Sequence, residues 1–150
     1  MPSDAFVVNV EAALYREDRW LMIERGAEEA HAAGALSMVG GTVDHVDSPD
    51  MVLEAALRRE LQEEVGVSAA AEMRYVESKS FISDSGRHVI DIVFLAEHDG
   101  GEPTAIDPAE VAAIHWMTLD EILAHPKTPP WIAQSMRLAE QMRMAGFTGV

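Results

Sequence analysis

The sequence predicts an α/β domain of the α+β kind, with a mixed sheet held between helices. Two observations carry that reading. Strand-like segments come first, an amphipathic helix stands mid-chain, and further strands and helices follow. That order does not fit the regular alternation of a parallel βαβ fold. The composition is ordinary for a globular chain, 48% hydrophobic and 25% charged, which argues against disorder. A chain of 150 residues suits one domain over 1–150. At this length, close to ~70% of the unfolded surface can be buried without staples.

The elements follow in order. Phe6 to Tyr15 is rich in β-branched residues and closes on the polar turn Arg16-Glu17-Asp18-Arg19, so it reads as a strand with Trp20 to Glu24 as its hairpin partner. Gly26 to Gly34 is small, polar and Ala-rich, a loop or frayed turn; Ala35 to Val39 is a short apolar run stopped by Gly40-Gly41. The clearest helix is expected to start at Ser48-Pro49, a cap followed by proline, and to run through Leu53, Leu57, Leu61 and Val65 to Gly66. Glu72 to Ile82 and His88 to Ala96 read as strands joined at Asp84-Ser85-Gly86, and Val111 to Met117 as a last strand beyond the loop Gly100–Pro103. Leu119 to Ala124 is a short helix. Pro129-Pro130 opens an amphipathic helix over Trp131 to Met144, and a loose tail is expected from Gly146.

Charge and cysteine content exclude several functions. Twenty-six acids against eleven Lys and Arg leave a net charge of −15 and a pI near 4.6. A nucleic-acid polymer or an anionic membrane needs clustered positive charge, so neither is an expected partner. With no cysteine there is no disulfide, thiolate nucleophile or zinc knuckle. No apolar run approaches the ~20 residues that span a bilayer. The start Met-Pro-Ser-Asp has neither a basic stretch nor an apolar core, so a cytoplasmic location is expected.

The mid-chain helix breaks local rules. At about 100° per residue, Glu60, Glu63 and Glu64 share an arc of roughly 100°, and Glu64 points within about 20° of Leu57. The acids therefore stand at the edge of the buried stripe. They repel one another at i,i+3 and i,i+4, each pair costing roughly 0.2–0.5 kcal/mol. They also crowd the last turn before Gly66, where the helix dipole favours cations. Such a violation marks a place to look for function, and a hard divalent cation is the natural compensation. The alternative is a solvated acidic face in an acidic protein.

Gly41, the acid Asp47, and then Arg59-Glu60-Leu61-Gln62-Glu63-Glu64-Val65-Gly66-Val67 resemble the Nudix box. The second half of that box, Arg-Glu-apolar-any-Glu-Glu-any-Gly-apolar, is matched at every specified position. With average residue usage such a match at a given start is roughly a one-in-ten-million coincidence. Gly40-Gly41 is similar to the double glycine that opens the box. The resemblance implies a Nudix-type α-β-α sandwich. It also implies Mg- or Mn-dependent hydrolysis of the pyrophosphate bond of a nucleoside diphosphate derivative: a nucleoside triphosphate, an oxidised nucleotide or a nucleotide sugar. A nucleotide-binding sensor of the same fold with weak or no turnover is the alternative. Two departures stand in the first half. Eleven residues separate Asp47 from Arg59, four more than usual, and the first acid is Asp where the family has Glu. Four residues are about one helical turn, so a helix lengthened at its N-terminal end would leave the Glu60/Glu63/Glu64 face unmoved.

The same resemblance implies Glu63 and Glu64 as metal ligands, with the Gly40 carbonyl as a further one. Glu60 becomes a ligand or the base on the attacking water, and Arg59 the residue that holds it. Glu110, after Asp107-Pro108-Ala109, stands where family members often place a loop glutamate, and is otherwise an ordinary loop acid. Arg25, entering the Gly26 loop, is a candidate for substrate contact, against a surface arginine paired with one of many acids. Phe81 and Trp131 are candidates to stack on a base. The six histidines show no metal-binding spacing, and the serine-hydrolase, P-loop and dinucleotide fingerprints are absent. A small nucleotide is the expected partner, and a second copy of the chain a further candidate.

Overall fold

A computed structural model describes residues 5–27, 32–44 and 48–146. Strands β1 (Val7–Arg16) and β2 (Arg19–Arg25) form the expected hairpin, with Tyr15 opposite Trp20 and Glu17 in the left-handed conformation at the turn. Below the turn the strands part. β1 pairs antiparallel with β4 (Val39–Thr42), while β2 pairs with β3 (Leu36–Ser37) and with β7 (Val111–Met117). On its other side β1 runs parallel to β6 (His88–Gly100), which pairs with β5 (Ser68–Ile82). Among the described residues these strands make one mixed seven-stranded sheet.

Alternation along β1 sends Val10, Ala12 and Leu14 to one face, where they meet Ala56, Leu57, Leu61 and Val65 of α1 (Val52–Val65). Ala13 goes to the other face, with Trp20, Met22 and Leu36. There the sheet meets Ile122 of α2 (Leu119–Ala124) and Ile132, Met136 and Ala139 of α3 (Pro130–Gly146). The α-β-α sandwich expected from the sequence is the architecture observed. Among the described residues no helix is long and apolar enough to cross a membrane.

Several element boundaries differ from expectation. Helix α1 starts at Val52, and Ser48 is not its cap: the Ser48 hydroxyl accepts from the Asp50 N–H two residues on, and Met51 takes a left-handed cap conformation with no side-chain bond. A segment of the chain joins β4 to α1 ahead of that start. Asp47 belongs to that segment and lies outside the described residues. Strand β5 begins at Ser68 and β6 continues to Gly100, with register shifts near Ala69 and Tyr75. Arg58 explains the extension, since its guanidinium donates to the carbonyls of Ala69, Ala70 and Ala71. The apolar run 35–39 is cut at Met38 into two strands with different partners.

Candidate active site

A cleft of about 900 Å³ opens beside β4, bounded by the Glu60–Glu64 face of α1, the start of α3 and the ends of β5 and β6. The double glycine lets helix and sheet close on each other. A Cβ on Gly41 would lie 2.3 Å from Glu60 Oε2, so the carboxyl group occupies the space that a side chain would need. Arg59 then fastens the helix to the strand. It donates to the Thr42 carbonyl at 3.0 Å, to Glu60 Oε2 at 3.0 Å and to Glu63 Oε2 at 3.3 Å.

Glu64 has the least favourable surroundings of the acids on the helix. Burial raises its pKa to about 8, with the charges of Glu60 and Glu110 adding to the effect. The Gly40 backbone N–H and the Arg25 charge oppose it. Its Oε2 is buried without a hydrogen-bond partner. Burial also raises Glu60, against the pull of Arg59 and with the push of Glu63 and Glu110. Glu63 stands further out, its side chain 60% exposed and held by Arg59.

Glu110 reaches the same place from the far side. The preceding loop is folded by Asp107, whose carbonyl accepts from the Glu110 and Val111 N–H groups and whose side chain accepts from Ala109. The Gly26 N–H donates to the Glu110 carbonyl at 2.9 Å, and a Cβ on Gly26 would strike the Ala109 carbonyl. Arg25 precedes that contact at the end of β2 and also lines the cleft. The fold thus brings together Gly40, Glu60, Glu64, Glu110 and Arg25, and leaves Glu63 at the rim. Among the described residues no three His, Asp or Glu side chains stand as a ready-made metal cage. The donors still suit a hard cation, because Glu64 offers a buried, unpartnered oxygen facing two other acids.

The walls include Phe81 and Trp131, and the floor holds Asn9, Glu11, Lys79 and Asp91. Reading the sequence passes over three of these floor residues. Polar residues at alternate positions of an otherwise apolar strand look like a solvated face. The face is instead the inside of the cleft. Lys79, the cation among these floor residues, pairs with Glu77 at 3.4 Å.

Comparison with known proteins agrees with this geometry. The pattern of the NUDIX domain family matches residues 5–139. The chain is 32% identical over 127 residues to an 8-oxo-dGTP diphosphatase of Escherichia coli, an alignment covering 81% of this chain and 90% of that protein. It is 32% identical over 103 residues to the NAD-capped RNA hydrolase NudC of Deinococcus radiodurans, covering 65% of this chain but spanning only 34% of that protein's length. The crystal structure of a MutT NUDIX hydrolase from Burkholderia pseudomallei superposes with a TM-score of 0.71 at 28% identity, covering 92% of this chain and 98% of the other.

Proposed function

The chain belongs to the NUDIX domain family and is a pyrophosphohydrolase of nucleotide derivatives, and we propose that it takes its substrate as a complex with Mg²⁺ or Mn²⁺. The observation that carries this reading is Glu64, a carboxyl group buried without a partner for one oxygen, its pKa raised first by that burial and then by two neighbouring acids. Left alone the arrangement is unfavourable. A divalent cation removes the repulsion and supplies the missing partner.

In this reading Glu64 and Glu60 hold the cation with Glu63 and the Gly40 carbonyl. When bound, the ion neutralises phosphate charge and lowers the pKa of water at the attacked phosphorus. The protein's own part is positional. Arg59 keeps Glu60 against Gly41 by charge-assisted hydrogen bonds. Glu110, fixed from the opposite loop, stands ready to take the proton from the attacking water, and Glu60 is the other candidate base. Arg25, whose charge reaches Glu64, is placed to meet the phosphate chain.

The net charge of −15 favours a small, metal-screened nucleotide over a nucleic-acid chain. Within that class the reading covers nucleoside triphosphates, oxidised nucleotides and nucleotide sugars. The test is an assay with Mg²⁺ or Mn²⁺ against oxidised and ordinary deoxynucleoside triphosphates, ADP-ribose and sugar nucleotides, with Glu63→Gln and Glu64→Gln alongside. Metal-dependent cleavage of one class, falling by about a hundredfold or more in Glu64→Gln, is expected. Turnover untouched by chelator or by Glu64→Gln would sink the metal assignment.

A further inference from the structure

The floor of the cleft departs from the pattern of its own sheet face. Further along that face, Ala13 of β1 and Val93 and Leu95 of β6 are packed in apolar surroundings. At the cleft the row turns polar. Asn9 of β1 stands opposite Asp91 of β6, which stands opposite Lys79 of β5. Glu11, two residues on from Asn9, shares their face, and its carboxyl group lies beside that of Asp91. Asp91 is only 5% exposed, yet both it and Glu11 line the cleft.

Buried carboxyl groups are costly unless donors meet them. The nearest ammonium group is committed elsewhere: Lys79 Nζ donates to Ser135 Oγ at 2.8 Å and to the Trp131 carbonyl at 3.2 Å, and pairs with Glu77. Asn9 Oδ1 is already taken by the Thr42 hydroxyl. Neither acid of the pair enters an ion pair among the described residues. Two carboxyl groups side by side offer several acceptor lone pairs to the cleft. The cleft wall there carries the rings of Phe81 and Trp131, which suit a flat or cyclic ligand.

We propose that the Asp91–Glu11 carboxyl pair is a specificity determinant of the cleft, accepting from two neighbouring hydrogen-bond donors on the nucleoside end of the ligand. The inference rests on the nucleotide reading of the site. The charge layout gives the ligand a direction, since anionic phosphate belongs with Arg25 and the metal-binding acids, and this acid pair repels it. Two parts of a nucleoside carry paired donors: a base edge with a ring N–H beside an amino group, and the ribose hydroxyls. A polar site of this kind rejects an analogue that lacks the donor, because its own acceptors are then buried unpaired.

The experiment compares GTP, ITP and dGTP as substrates, and measures binding of GMP, IMP and dGMP by calorimetry without metal. ITP and IMP lack the amino group; dGTP and dGMP lack the 2′-hydroxyl. The wild-type protein should show a preference of at least about tenfold in KM or Kd in one of the two contrasts. Asp91→Asn, nearly isosteric, and Glu11→Gln, changing the pair from the other strand, should each bring that contrast to within about twofold. For Asp91→Asn the effect should appear as a raised KM for the preferred nucleotide, with kcat largely kept. Absence of both contrasts in the wild-type protein, or a contrast that survives in both variants, overturns the proposal. A binding contrast without turnover would sink the hydrolytic reading and leave this inference standing. Turnover without any contrast would do the reverse.

Discussion

Two residues in the site make opposite demands on their neighbours. Gly41 must have no side chain, because Glu60 fills the space a Cβ would take. Gly41→Ala should push Glu60 aside by about an ångström and lower kcat/KM by roughly a hundredfold, with a smaller effect on melting temperature. Steady-state kinetics beside a thermal melt checks this; unchanged kcat/KM would mean that Glu60 does not act from this position. Glu64, by contrast, tolerates its place in the metal-free protein by holding a proton. With its pKa raised to about 8, the folded protein keeps a proton that the unfolded chain loses near its ordinary value of 4.5. Stability contributed by that proton is present below the unfolded pKa and is lost as pH rises through the interval. Glu60 and Glu11 are shifted in the same direction, by burial first. Metal-free protein should therefore melt about 5 °C lower at pH 8.5 than at pH 5.5. Glu64→Gln should flatten part of that slope. A melting temperature that rises with pH over this range would contradict the assignment.

At the scale of elements, the site is the meeting of α1, β4 and the loop before β7, each held by a contact outside the cleft. Arg58 is the clearest case, bonding three successive carbonyls at the bulged start of β5. Arg58→Ala should cost about 1–3 kcal/mol in urea unfolding while leaving KM unchanged, because the side chain touches no part of the cleft. Gly26→Ala tests the loop instead: its Cβ would collide with the Ala109 carbonyl and shift Glu110. A fall in kcat of tenfold or more is expected, and unaltered kcat would remove Glu110 from the reaction. Much of this assembly was legible in the sequence. Leu57, Leu61 and Val65 with Gly66 reveal α1 and its end, and the acids on its edge mark the chemistry. The start of α1 was not legible, because Ser48 has two uses for its hydroxyl and spacing does not say which prevails. Nor was the cleft floor, since Glu11 and Asp91 obey the alternation of a solvated strand face. Only the placement of α3 and β4 turns that face into an interior.

At the scale of the whole molecule, the net charge of −15 opposes folding through self-repulsion, and any salt should relieve part of it. Sodium chloride at rising concentration is therefore expected to raise the melting temperature smoothly, as screening shortens the range of the repulsion. A specific cation site adds a separate gain, growing with the logarithm of metal concentration over its dissociation constant, about 2.7 kcal/mol at a hundredfold excess. The two effects separate cleanly at matched ionic strength. Mg²⁺ at millimolar concentration should raise the wild-type melting temperature several degrees beyond sodium chloride, and Glu64→Gln should show the screening part alone. Protons connect this global effect to the residue that causes it. At pH 7 most Glu64 carboxyl groups are protonated in the metal-free protein, so binding should release close to one proton. Calorimetric titration of Mg²⁺ in two buffers of different ionisation enthalpy measures that release directly. A binding heat independent of buffer would place the cation elsewhere on the acidic surface, and equal stabilisation of wild type and Glu64→Gln would reduce the metal effect to screening.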